Sequence, residues 1–171
     1  MSAAEFILGL VTLQRVAELV LSHTHTRRLK ARGAVEVAGG HYPLMVAVHT
    51  AWLIALWVFG RQQPVNVVAL IFYLLLQGLR VWVMRTLGAR WTTRIIVLPA
   101  APLVVAGPYR FLSHPNYAVV IGEIAMLPLV LGLPGIAAIF TILNAGILTI
   151  RIRAENRALA ASRELVARPA L

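Results

Sequence analysis

The chain predicts an all-α integral membrane protein with about five transmembrane helices, on three observations. Of its 171 residues, 60% are hydrophobic and only 13% charged, whereas a soluble domain carries about a quarter charged residues. Five apolar stretches, residues 3–22, 43–60, 64–84, 117–131 and 134–150, approach the roughly 20 residues that cross a ~30 Å hydrocarbon core. The basic residues between them fall in alternate connections. No Ser/Gly-rich linker, composition break or repeat divides the chain, so residues 1–171 are read as one domain.

The first stretch has no basic leader before it and no small-residue cleavage site after it, and is read as a retained span. Inside it Arg15 and Glu18, three residues apart, are expected to pair across one helix turn so that neither is bare in lipid. The connection that follows holds Arg27, Arg28, Lys30 and Arg32. Residues 43–60 and 64–84 then form two spans joined by a short link in which Arg61 is the one basic residue. In the third span, Arg80 is read as snorkelling towards the headgroups or contacting substrate. Gly132-Leu133-Pro134-Gly135 splits the last apolar region into a helical hairpin, because proline and glycine end helices there. Residues 151–166 mix Ile152, Leu159 and Leu165 with charges and should prolong the last span out of the bilayer, bringing Glu155 near His114.

The third connection carries Arg85, Arg90, Arg94 and Arg110, and the tail Arg151, Arg153, Arg157, Arg163 and Arg168. Five spans put all three basic groups on one side, which by the positive-inside rule is cytoplasmic, with the N-terminus outside. Four spans would set the tail against the other two groups. The formal charge of +10 therefore points to anionic membrane lipids as partners and not to nucleic acid. Without cysteine, disulfides, thiolate metal sites and cysteine nucleophiles are excluded. His23 and His25 project to different sides of a helix, so no metal site is expected.

The segment Gly107-Pro108-Tyr109-Arg110-Phe111-Leu112-Ser113-His114-Pro115-Asn116-Tyr117 is where chemistry is expected. Polar groups and helix breakers beside hydrocarbon free backbone groups that must be satisfied, which a ligand pocket would do. A bland reading competes: Asn116 capping a helix that Pro115 starts. The four tryptophans are read as interface anchors and packing. His41 and His49, two turns apart, could line a cavity for a lipophilic ligand.

His114-Pro115-Asn116-Tyr117, followed by Arg153, Glu155 and Leu159, resembles the isoprenylcysteine carboxyl methyltransferase family over residues 98–159. That resemblance implies a multi-helix membrane enzyme that moves a methyl group from S-adenosylmethionine to an oxygen of a lipophilic small-molecule acceptor. It implies a cytoplasmic cofactor pocket made by the loop after helix 3 and the C-terminal helix, with Gly107, Pro108, Tyr109, His114, Asn116, Tyr117, Arg153 and Glu155 binding the cofactor. Residues 14–19 and 32–43 are similar to a bacterial branch, placed in the inner membrane, that methylates alkylresorcinols or alkylpyrones. The chain departs from the family pattern at Asn156, where many relatives carry a second glutamate, and at Val119, in place of a glycine. An isoprenylcysteine-like carboxylate is the second candidate acceptor.

Side-chain chemistry agrees in outline. A sulfonium donor with a carboxylate, an amine and a ribose diol needs acidic, basic and aromatic groups together, and Glu155, Arg151 or Arg153, Tyr109, His114 and Tyr117 supply them. No strand is evident, so a glycine-rich dinucleotide fold is excluded. Glu123 is the candidate catalytic base or acceptor contact, and Arg94 the candidate oxyanion stabiliser; Glu123 as a helix-start carboxylate is the equal alternative. A membrane reductase using NADPH is the rival enzyme. A transporter or adaptor is the rival class, although transporters break paired helices in both halves and here the breaks gather in the second.

Overall fold

A computed structural model describes residues 1–37, 39–99, 101–102 and 104–167. Among the described residues five α-helices follow one another: α1 (Ala3–Lys30), α2 (Tyr42–Gly60), α3 (Val67–Leu87), α4 (Pro115–Val130) and α5 (Pro134–Ala167). Three helical segments, Gly39–Gly60, Val67–Arg90 and Pro134–Ala158, are long and apolar enough to cross a membrane, and Pro115–Val130 is a shorter apolar helix. The chain is a membrane protein.

Helix α1 is not among these segments, and it carries charged residues on its inward face. Its inward stripe begins apolar with Ala4, Leu8 and Val11, then turns polar with Glu18 and Ser22, all buried. The opposite stripe, Phe6, Leu10, Leu13, Val16 and Val20, is 52–66% exposed. Apolar outside and polar inside suits a helix whose outer solvent is lipid. The helix starts with a capping box in which the Ser2 hydroxyl accepts from the Glu5 N–H at 3.0 Å.

Ladders and caps define two poles. At one, Ser2 Oγ donates to the Arg61 carbonyl at 2.6 Å and the Asn66 N–H donates to the Val130 carbonyl at 2.8 Å. The α4–α5 turn lies there too, with Gly132 at φ +65°. At the other pole, a two-residue antiparallel ladder pairs β1 (Val35–Glu36) with β2 (Ile96–Val97). The reading of a chain without strands is corrected to this extent, and the ladder is far too short for a dinucleotide fold. Its function is local: it ties the connection after α1 to that after α3. Lys30 and Arg94 both pair with Glu36, and the Arg94 guanidinium lies 4.0 Å from the centre of the Tyr42 ring. The connections after α1 and after α3 gather at this pole together with Arg151 at the start of the basic tail, and Arg61 lies at the other; Arg168 of the tail lies outside the described residues.

The apolar core between the poles joins Leu8 and Val11 of α1, Trp52 and Leu56 of α2, Tyr73 of α3, and Ile124, Leu127 and Val130 of α4. Helix α4 packs chiefly on α3 and α5. A close helix approach occurs one turn after Val119, at a glycine. Val119 is fully buried against Val83 and Trp91, while a Cβ on Gly122 would lie 2.8 Å from Leu76 Cδ1. Trp52 and Trp91, each 2% exposed, are core residues and not interface anchors. Helix α5 runs unbroken from the span into the charged segment, as its sequence predicts.

Candidate functional site

Two polar clusters lie one above the other along α4. The first is at its N-terminal end. Pro115 occupies the first helical position, where a missing N–H costs nothing, and His114 is the flanking residue, with no side-chain cap. The capping role read for Asn116 is thus corrected: the half-buried Asn116 lies inside the helix. Starting the helix here points Tyr117 and His114 at α5. Tyr117 Oη donates to Glu155 Oε2 at 2.5 Å, His114 Nδ1 lies 3.7 Å from the same oxygen, and His114 Nε2 lies 3.1 Å from Asn156 Oδ1. The two rings stack with centroids 5.4 Å apart.

Arg151 is the buried arginine of α5, 4% exposed, whereas Arg153 is exposed. Its Nη2 donates to the Thr93 carbonyl at 2.9 Å and its guanidinium lies 5.8 Å from the centre of the Tyr117 ring. Its Nε has no partner among the described residues, and neither does the indole N–H of the buried Trp91. Burial, then the Glu155 charge, push the Tyr109 phenol up to about 12, so it stays neutral and able to donate. Gly107 sits at φ +56°, and a Cβ there would collide with Thr86 Oγ1 and lie 3.1 Å from Trp82 Nε1. It seats the loop on α3, and with it Pro108, which is buried, and Tyr109.

The second cluster lies deeper. Glu123 is six residues past Tyr117, about 9 Å along the helix. Its Oε1 accepts from Arg80 Nε at 2.6 Å and Gln77 Nε2 at 2.7 Å; its Oε2 accepts from Arg80 Nη2 and from Arg15 Nη2 at 3.0 Å. Arg15 and Arg80 also reach Glu18 Oε2, at 2.9 and 3.0 Å, so two arginines and two glutamates close a neutral ring across α1, α3 and α4. The Arg15–Glu18 pair is as the spacing predicts. The reading of Arg80 as snorkelling is corrected: it is 5% exposed and joins both carboxylates. Long-range pairing of this kind leaves no local signal, since three separate spans supply it.

The structure does not bring the two residues read as catalytic into one place. Glu123 carries four hydrogen bonds from Arg80, Gln77 and Arg15 and is closed into the ring. Arg94 belongs to the Glu36 clamp. Beside the deeper cluster lies a small cavity lined by Arg15, His49, Trp52, Arg80, Val120, Glu123 and Ile124. Trp52, read from the sequence with the other tryptophans as anchor or packing, reaches its wall from the core.

A family model for the isoprenylcysteine carboxyl methyltransferase (ICMT) family matches residues 68–161. That span runs from α3 through the Tyr117 and Glu155 cluster. An uncharacterized protein of Bacillus subtilis (strain 168), YpbQ, is 38% identical over 160 residues, covering 90% of this chain and 94% of its own length. No solved structure matches the chain. With more than half of its length under that model and a relative alike almost end to end, the chain belongs to the isoprenylcysteine carboxyl methyltransferase family, whose members are membrane methyltransferases.

Proposed function

We propose that the protein transfers a methyl group from S-adenosylmethionine to an oxygen of a long-chain lipophilic acceptor, a phenol or pyrone hydroxyl in preference to an isoprenylcysteine-like carboxylate. One observation carries this reading: Tyr117 and His114 of the proline-broken loop converge on Glu155 and Arg151 of α5. The residues present fit the donor. Glu155 suits ribose or amine groups; the unpartnered Arg151 Nε suits a carboxylate. Tyr109, His114 and Tyr117 offer aromatic cover. The cofactor supplies an electrophilic methyl carbon, and the protein contributes by holding the acceptor oxygen in line and excluding water.

The basic connections after α1 and α3, with Arg151, lie at the pole that bears this cluster, which favours a cytoplasmic site in a bacterial inner membrane and an outside N-terminus. The lipid-suited outer face of α1 favours counting it as a fifth span. The acceptor reaches the site from the bilayer. Equilibrium binding of labelled S-adenosylmethionine and of NADPH to purified protein tests the cofactor. Membranes containing the protein, incubated with methyl-labelled cofactor and lipid extract, should yield a labelled neutral lipid. Binding of NADPH alone would overturn the reading.

A further inference from the structure

Arg151 and Glu155 stand four residues apart on α5, a spacing at which opposite charges on one helix can pair. They do not. Glu155 accepts from the Tyr117 hydroxyl at 2.5 Å, Arg151 Nη2 donates to the Thr93 carbonyl at 2.9 Å, and among the described residues no carboxylate forms an ion pair with Arg151. A guanidinium only 4% exposed is costly to hold without a counter-charge, so the contacts that aim it at a neutral carbonyl have a purpose to explain. The segment supplying that carbonyl is fixed from several sides. The Thr93 N–H donates to Ser22 Oγ at 2.9 Å, and the two hydroxyls lie 2.8 Å apart. The Tyr42 hydroxyl lies 3.2 Å from Thr93 Oγ1. Just before, the Trp91 carbonyl accepts from His25 Nδ1 at 2.8 Å; just after, Arg94 pairs with Glu36. Ser22 is 3% exposed, so this anchor lies inside the bundle.

With its N–H, its hydroxyl and its neighbours held, Thr93 has little freedom to turn its carbonyl away from α5. A line of hydrogen bonds thus runs from α1 and α2, through the connection after α3, to the guanidinium beside Tyr117. We infer that Ser22 and Tyr42 are positioning residues which, through Thr93, hold Arg151 apart from Glu155, so that the two charges receive the carboxylate and the amine of the donor's amino-acid end; the inference rests on the methyltransferase reading above. Both residues lie outside the stretch 68–161 that the family model matches. Closed on each other, Arg151 and Glu155 would have to be separated before a zwitterion could bind. Held apart in advance, they spare binding that cost, and the guanidinium meets the carboxylate through charge-assisted hydrogen bonds.

The test titrates purified full-length protein with S-adenosylmethionine and with decarboxylated S-adenosylmethionine, which keeps the sulfonium, the amine and the nucleoside and lacks only the carboxylate. The wild type should prefer S-adenosylmethionine about 30-fold, and Arg151→Gln should abolish the preference. Ser22→Ala should lower S-adenosylmethionine affinity about fivefold and Tyr42→Phe about threefold, with affinity for the decarboxylated ligand kept within about twofold. Loss of packing alone would not produce that split. Placed in the Arg151→Gln protein, either change should have no further effect on binding. Tyr42 is half-buried and phenylalanine keeps its ring beneath Arg94, so Tyr42→Phe decides the matter if Ser22→Ala does not fold. Unchanged S-adenosylmethionine affinity, equal losses for the two ligands, or losses that persist in the Arg151→Gln protein would overturn the positioning role. Equal affinity of the wild type for both ligands would overturn the inference and leave the methyltransferase reading standing. Binding of neither ligand is the failure of that reading itself, and the inference falls with it.

Discussion

The two polar clusters on α4 use the same residue types for opposite ends. In the deeper one, Glu123 and Glu18 are matched against Arg15 and Arg80, with Gln77 completing the hydrogen bonds. Every carboxylate is answered. At the loop, Glu155 has Tyr117 and His114 beside it, is 29% exposed, and the neighbouring Arg151 keeps an unpartnered Nε. A closed set of charges in hydrocarbon organises helices; an open set at the membrane edge is available to a ligand. On the proposed function, saturation, more than residue identity, separates the structural carboxylate Glu123 from the binding carboxylate Glu155.

The sharpest way to break this contrast is Glu123→Ala, which strands Arg80 and Arg15 inside the bundle. Removing one partner of a buried ion pair costs about 3–5 kcal/mol, so unfolding in detergent should move to much lower denaturant, and cofactor affinity should be retained wherever the protein is still folded. Next comes Gly107→Ala, which forces a Cβ against α3 in a left-handed backbone. A cost of about 1–3 kcal/mol is expected, read by the same unfolding curve. Glu155→Gln should do the reverse of Glu123→Ala: S-adenosylmethionine affinity falls about tenfold, equivalent to about 1.4 kcal/mol, with the unfolding midpoint little changed. Equal effects of the two glutamate variants on stability would erase the distinction.

The smallest effect belongs to the exposed clamp at β1. Hydrogen bonds from Lys30 and then Arg94 hold the Glu36 carboxyl below its ordinary range. Its stabilising contribution is therefore complete above about pH 4, near the unfolded-state value, and is lost as pH falls through the lower folded value. Lys30 and Arg94 are 47% and 38% exposed, so Glu36→Gln should cost under about 1 kcal/mol. The wild-type and variant stabilities should converge on acidification.

Much of the loop cluster was legible in the chain because it is local. Proline, glycine and histidine punctuate one short segment, and α5 continues by its own periodicity, so the meeting of His114 and Glu155 followed from helix lengths. The ring of Arg15, Glu18, Arg80 and Glu123 was only half legible: Arg15 and Glu18 are three apart, but Arg80 and Glu123 lie far along the chain, and their sequence says only that each needs a partner. The pairing of Arg94 was hidden for the same cause, its neighbour Glu36 being brought up by a ladder too short to leave a strand signature.

Composition and hydrophobic spacing thus determined by themselves that the protein is helical and lies in a membrane, because lipid demands long apolar helices whatever their neighbours. Which carboxylate would be closed into an ion-paired ring and which left open to a ligand was decided by tertiary structure alone. That choice depends on how α1, α3 and α4 rotate about their axes, and rotation is set by packing such as that of Leu76 on Gly122, which no single helix contains.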